Sequence, residues 1–325
     1  MSILLDKQYS PEEMAELRAQ LNSHKAEQNL TWEILGKGMD VNKATLSLWA
    51  TDKYTGNNTA IAIKVEKYFA AEEVQLQLLD ERPIVPGFQP TKTAGRIYNM
   101  VSHARTGKFV ILMGHPGVGK TVGLERACSQ VPNAWHITAS PSCRTMTLIL
   151  KKIAGAITGT IPSGGGSLHL SNIIRDRVRG VSAVIIVDEA QNLDNMAIEE
   201  LRSIYDDTRC GLLLAGNPEV LRKVEGDKTA AFAQRFSRVS MRHLIERPDH
   251  EDVESLLTAW AVANAVERKY LTDIAMKRGG GALRTMSQVL ELATMLASIR
   301  DDETRSMDDL KGAWAQLSYV PGIAA

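Results

Sequence analysis

One stretch limits what this chain can fold into more than any other: Gly114-His115-Pro116-Gly117-Val118-Gly119-Lys120-Thr121, directly after the apolar run Phe109-Val110-Ile111-Leu112-Met113. The spacing Gly-x4-Gly-Lys-Thr describes a loop that wraps backbone N–H groups around phosphates, with glycines at Gly117 and Gly119 letting the main chain approach closely. A strand must precede it, and Val122 to Ser129 reads as a helix whose N-terminus adds partial positive charge to the same anion site. Lys120 is then placed to reach β- and γ-phosphates, and the Thr121 hydroxyl to hold Mg²⁺.

With 325 residues the chain suits two or three domains. Its N-terminus lacks the basic start and long apolar run of a signal peptide, and no apolar stretch reaches membrane-spanning length. Cys128, Cys143 and Cys210 lie far apart without metal-ligand spacing, as expected of reduced thiols in a cytosol. The zero net charge conceals a division. Residues 1–82 carry 9 cations against 13 acids, residues 83–247 carry 21 against 13, and residues 248–325 carry 8 against 12. The central segment is the basic one, as a polyanion partner requires.

Residues 1–82 read as an all-α domain. Ser10-Pro11-Glu12-Glu13 is a helix start, with helices expected to about Lys25, from Thr31 to Lys37, from Asn42 to Lys53 and from Thr59 to Leu79. The segment Met39 to Trp49 resembles the turn and recognition helix of Cro- and repressor-like helix-turn-helix domains. That resemblance implies that Asn42, Lys43, Thr45 and Ser47 face DNA while Val41, Leu46 and Trp49 pack inside. Asp40 stands where the turn glycine is usual, and the domain's net negative charge keeps a protein-docking role open. Three prolines within eight residues, Pro83, Pro86 and Pro90, make residues 83–92 a linker.

Residues 93–247 alternate strands and helices, the pattern of a parallel sheet with covering helices. The apolar strand Ala183 to Val187 ends in Asp188-Glu189, an arrangement in which the first acid serves Mg²⁺ and the second polarises the attacking water. Gly211 to Gly216 repeats the form and ends in Asn217, which can orient water against a γ-phosphate. Residues 248–325 read as four helices, 249–263, 267–277, 282–299 and 306–317.

Together these elements resemble the AAA+ family of ATPases. The resemblance implies an α/β P-loop module with an N-terminal helix-turn-helix domain and a C-terminal helical lid. Gly114 to Thr121 is then the Walker A loop, Val184 to Glu189 the Walker B strand, and Asn217 the first sensor. Arg284, in Gly281-Ala282-Leu283-Arg284, falls at the second sensor. Arg238, with Arg235 beside it, falls at the arginine finger that reaches a neighbouring subunit's nucleotide; a guanidinium suits that task because it is always charged and forks onto phosphate oxygens.

The order of these motifs, with Thr138-Ala139-Ser140-Pro141-Ser142-Cys143 and Asp52-Lys53-Tyr54-Thr55-Gly56-Asn57, is similar to the phage Mu transposition protein B family through nearly the whole chain. That implies an ATP- and Mg²⁺-dependent protein of the bacterial cytoplasm that binds double-stranded DNA without sequence specificity. It polymerises as a homo-oligomer, filament or ring, with ATP at subunit interfaces, and delivers target DNA to a transposase; hydrolysis drives disassembly. Arg144, Lys151, Lys152, Arg175, Arg177 and Arg179 are the candidate DNA contacts of the central module. Two alternatives share the motifs: a helicase-loader or replication-initiation ATPase, and a transcriptional regulator whose ATPase gates the N-terminal domain.

Overall fold

The computed structural model describes residues 9–80, 85–225, 238–277, 282–300, 302 and 304–318, with side chains 74–80 left aside. The chain divides into two compact units, Met1–Arg82 and Pro83–Ala325.

The first unit holds helices α1 (Pro11–Glu27), α2 (Trp32–Gly38), α3 (Lys43–Ala50) and α4 (Asn58–Asp80). At the start of α1 a reciprocal cap forms, with Glu13 N–H donating to Ser10 Oγ at 3.2 Å and Ser10 N–H to Glu13 Oε2 at 2.7 Å. Leu21, Leu35, Leu46, Trp49, Ala62 and Val65 form its core. Asp40 takes the left-handed conformation, φ 51°. Lys64 Nζ secures it by donating to its carbonyl at 2.6 Å and its carboxylate at 3.1 Å. The glycine the turn needs is Gly36, where a Cβ would meet Val41 O at 2.5 Å. α3 stops at Ala50, three residues before the expected Lys53.

The second unit is built on five parallel strands: β1 (Phe109–Gly114), β2 (Ala134–Thr138), β3 (Val184–Asp188), β4 (Gly211–Gly216) and β5 (Val239–Ile245). Their order is β2-β3-β4-β1-β5. Helices α5 (Lys92–Ala104) and α6 (Lys120–Gln130) cover one face. α7 (Met146–Thr158), α8 (Ser167–Val178) and α9 (Asn195–Thr208) cover the other, and α10 (Glu219–Glu225) follows β4. Along β1, Phe109, Ile111 and Met113 enter the α7–α9 core while Val110 and Leu112 enter the α5–α6 core. The same alternation in β3 and β4 explains why these strands read as unbroken apolar runs: both faces are covered.

Two elements, β5 and α10, gave no signal in the sequence. β5 is an edge strand buried only at its ends, Val239 and Ile245, so its residues lack both the continuous apolar run and a clean alternation. The four C-terminal helices are α11 (His250–Ala259), α12 (Ala265–Met276), α13 (Ala282–Ile299) and α14 (Met307–Ser318). They share a separate core around Val253, Leu257, Leu271, Met286, Leu290 and Leu310. α11 ends four residues earlier than the expected Ala263, because Ala261 turns left-handed, φ 51°, and Val262 N–H closes back on Leu257 O at 3.0 Å. Asp252, fully buried, ties this bundle to α5. Its two oxygens accept Thr93 N–H at 3.1 Å and Thr93 Oγ1–H at 2.5 Å, while Arg96 pairs with Asp249 at 2.9 Å.

Candidate active site

The ends of β1, β3 and β4 and the start of α13 bring four sequence segments to one place. The loop leaves β1 at Gly114, where a Cβ would come within 2.8 Å of Ile245 O. Exposed His115 donates its N–H to that carbonyl at 3.2 Å. Pro116 and Gly117 turn the chain outward, buried Val118 anchors it, and Gly119 opens α6. Gly117 and Gly119 have φ of 82° and 91°. No atom lies within 4 Å of a Cβ built on Gly119, so backbone conformation rather than a protein neighbour demands glycine there.

Lys120 is 9% exposed, and its Nζ donates to Gly114 O at 2.7 Å and His115 O at 2.9 Å. Burial pushes its pKa down, Asp188 and Glu189 oppose that, and Arg284 reinforces it. The ammonium thus sits among the loop's own carbonyls, within the field of two carboxylates. Thr121 Oγ1 donates to Asp188 Oδ2 at 2.6 Å. Asp188 is completely buried and also accepts Glu189 N–H at 2.8 Å. Burial pushes its carboxyl up, but His136, Thr121 and the Glu189 N–H together hold it below the usual carboxylate range. His136 Nε2 stands 3.9 Å from Asp188 Oδ2, too far for a hydrogen bond and close enough to act as a charge when protonated. A hydroxyl and a buried carboxylate side by side are the hard-oxygen donor set that suits Mg²⁺.

Glu189 leaves β3 in the left-handed conformation, φ 54°. Its Oε2 accepts the Gln191 amide, whose Oε1 accepts Asn217 N–H at 3.2 Å. The Asn217 side chain accepts Glu219 N–H at 2.9 Å and so also starts α10. Arg284 enters the site in the first turn of α13, and its N–H donates to Gly117 O at 3.3 Å. Lys120, Thr121, Glu189, Gln191, Asn217 and Arg284 line one cleft of about 460 Å³, with the buried Asp188 behind Thr121. Its lining also includes the apolar side chains of Val85, Phe88, Leu256, Trp260 and Leu283. A ligand with anionic and flat apolar parts suits such a mixed lining, and Arg126 stacks over Phe88 at 5.3 Å.

Arg238 is half-exposed and pairs within the chain with Asp206. Arg235, like Gly281, lies outside the described residues. Of the basic residues proposed for DNA, Arg175 is committed elsewhere: it pairs with Asp207 at 2.9 Å and Glu200 at 3.2 Å, and donates to Ser203 Oγ at 2.9 Å. Arg179 shares Asp207 at 2.7 Å, and Lys152 donates to Thr138 O at 2.7 Å. Arg144 and Arg177 are exposed and Lys151 half-buried, and none of their side chains has a polar partner among the described residues. In the first unit Lys43 is exposed, Thr45 and Ser47 are half-buried, and the Asn42 side chain caps α3 by accepting Ala44 N–H at 2.9 Å.

Sequence reasoning missed Gln191, His136 and the apolar residues of the cleft lining. The first two lie in ordinary local contexts, and the third gathers residues from segments more than 150 positions apart.

The strand order, the phosphate cradle after β1 and the paired carboxylates that end β3 define an AAA-type ATPase. Comparison with known proteins agrees: the AAA domain family matches residues 103–224, and the C-terminal family of the Mu B transposition protein matches residues 237–317. The ATP-dependent target DNA activator B of Escherichia phage Mu is 30% identical over 96% of this chain and 98% of its own length. The DNA transposition protein B of the Mu-like prophage FluMu of Haemophilus influenzae is 29% identical over 82% and 93%. The chain belongs to the Mu transposition protein B family. Among solved structures, the ORC2 protein of Aeropyrum pernix superposes with a TM-score of 0.56 at 15% identity, covering 71% of this chain and 70% of that one. Drosophila ORC bound to DNA gives 0.52 at 18%, covering 76% and 66%. These two likenesses concern the fold. No helix among the described residues is long and apolar enough to cross a membrane.

Proposed function

We propose that this ATPase binds double-stranded target DNA without reading its sequence, polymerises on it with ATP at the subunit interfaces, and delivers it to a transposase in the bacterial cytoplasm. Hydrolysis then releases the DNA. The observation that carries the reading is the joined cradle and carboxylate pair, Lys120, Thr121, Asp188 and Glu189, in a chain that matches a target DNA activator over nearly its whole length.

In this reading the cradle N–H groups and Lys120 hold the phosphates, and the base lies against the apolar part of the cleft lining. Thr121 and Asp188 would hold Mg²⁺, which neutralises charge on the β- and γ-phosphates when bound. Glu189 takes the proton of the attacking water, with Asn217 orienting that water. Arg284 reports the γ-phosphate from the lid, and Arg238, with Arg235 beside it, addresses the nucleotide of the next subunit. We assign these tasks to a nucleotide-binding domain, residues 93–247, and a lid, residues 248–325. Residues 83–92 join them to the helix-turn-helix domain of residues 1–82. Arg144, Lys151 and Arg177 supply phosphate contacts that need no base recognition.

The test is binding of the full chain to long duplex DNA of arbitrary sequence, imaged by electron microscopy with ATP, with ADP and without nucleotide. Filaments that require ATP and disappear in Lys120→Ala support the reading. Tight binding to one short site irrespective of ATP would replace it with a regulator.

A further inference from the structure

Gln191 has no task in the mechanism above, yet its side chain joins the two groups assigned to the attacking water. Its amide nitrogen donates to Glu189 Oε2, and its amide oxygen accepts Asn217 N–H at 3.2 Å. The residue is fixed from behind as well. Lys223 Nζ donates to the Gln191 carbonyl and, at 2.8 Å, to Leu193 O, so the backbone at Gln191 is held without help from its side chain.

The surroundings are shaped for this amide. A Cβ on Gly216, the last residue of β4, would collide with Gln191 Oε1 and come within 2.7 Å of Val220 Cγ2. Glycine therefore lets the amide lie across the end of the strand. On the other side, Glu189 adopts a left-handed backbone that a residue with a Cβ seldom keeps unless its neighbours hold it. Only a primary amide serves both contacts at once. A carboxylate keeps the acceptor toward Asn217 and repels Glu189, and a thioether of equal length offers neither bond.

We propose that Gln191 is a positioning residue that ties the Glu189 carboxylate to the end of β4, so that the water-activating base and the sensor strand keep one relative placement. This rests on Glu189 being the base. The charged acceptor makes the Gln191–Glu189 bond the stronger of the two, and the bond to a backbone N–H makes it insensitive to which side chain stands at position 217.

The experiment is steady-state ATP hydrolysis by the full chain with DNA, alongside binding of a fluorescent ADP analogue and thermal melting. Gln191→Met and Gln191→Glu should each lower kcat on the order of 10- to 100-fold, the cost of a misplaced catalytic group, with KM and ADP affinity within about threefold of the unaltered chain. In a Glu189→Ala background the same substitutions should cause no further loss, because Gln191 acts only through that carboxylate. Asn217→Ala, which keeps the backbone donor, should leave the Gln191 effect undiminished.

Unchanged kcat in Gln191→Glu would overturn the proposal. So would a Gln191→Met loss that persists in the Glu189→Ala background, or one accompanied by equally weakened ADP binding and a collapsed melting temperature, since either marks a structural role. Undiminished hydrolysis in Glu189→Ala alone would instead remove the assignment of the base on which the proposal rests.

Discussion

Thr121 Oγ1 donates to Asp188 Oδ2 at 2.6 Å, joining the first turn of α6 to the last residue of β3. The bond is made to a carboxylate with no exposed surface, so removing its donor strips one of the few groups that stabilise a buried charge. Thr121→Ala is expected to cost about 1–3 kcal/mol of folding stability in urea, without nucleotide or Mg²⁺. ATP hydrolysis should fall with it, and added Mg²⁺ should no longer stabilise the nucleotide complex. Thr121→Ser, which keeps the hydroxyl, should preserve both. A Thr121→Ala protein as stable as the unaltered chain would mean that the pair carries no structural weight.

The basic residues of α7 and α8 separate into two kinds, and their substitutions should separate likewise. Arg175 holds α8 against α9 through Asp207, Glu200 and Ser203, so Arg175→Ala should lower the melting temperature before it affects DNA. Lys151→Ala and Arg177→Ala should leave melting unchanged, weaken DNA binding alike on all sequences, and each reduce the slope of log K against log salt by about 0.9. A titration of binding against salt concentration measures the slope directly. An unchanged slope in both variants would place the DNA surface elsewhere.

What the sequence revealed of this site follows the range of the interactions involved. Gly114 to Thr121 was legible because the loop's geometry is written in consecutive residues: positive φ at Gly117 and Gly119, then a lysine and a hydroxyl at fixed offsets. Asp188 and Glu189 were legible because a doubly covered strand is an apolar run, and a carboxylate at its end stands out. β5 was not, since an edge strand buried at Val239 and Ile245 alone has no period to read. Gln191 was not, because its role depends on β3 and β4 lying side by side, a fact of topology absent from any local window. The commitment of Arg175 was equally hidden: on sequence it is one of three alternate arginines, and only the packing of α8 on α9 separates it from Arg177.

Asp309 gives the C-terminal helices a defined response to acid. Arg300 donates to both its oxygens, at 2.5 and 2.9 Å, and holds the carboxyl well below the usual carboxylate range; burial opposes this, and Ser306 N–H, at 2.8 Å, and its hydroxyl add to it. Because the folded-state pKa is depressed, the contribution is complete above the unfolded value of about 4 and is lost as pH falls through the folded one. Asp309→Asn should therefore melt lower than the unaltered chain at pH 7, with the gap narrowing as pH falls below about 4. Thermal melts between pH 7 and the acid limit of solubility test it, and a gap constant across that range would exclude linkage through this carboxyl.

Arg238 lies immediately before β5, and its guanidinium rests on Asp206 of the same chain, half open to solvent. If it serves the nucleotide of the next subunit, the contact with Asp206 must give way when subunits assemble, and the defect of Arg238→Ala must be curable by a neighbour. Arg238→Ala should bind ATP normally and hydrolyse it on the order of 1000-fold more slowly in the presence of DNA, the usual worth of such an arginine. Glu189→Ala should fail for the opposite reason, binding ATP and assembling with an intact arginine but without the base. Mixed in equal amounts and assembled at random, the two inactive proteins create productive pairs at roughly a quarter of head-to-tail interfaces, so hydrolysis should return to about that fraction. Recovery in the mixture with none in either protein alone is the expected result. A mixture as inactive as its parts would confine Arg238 to its contact with Asp206.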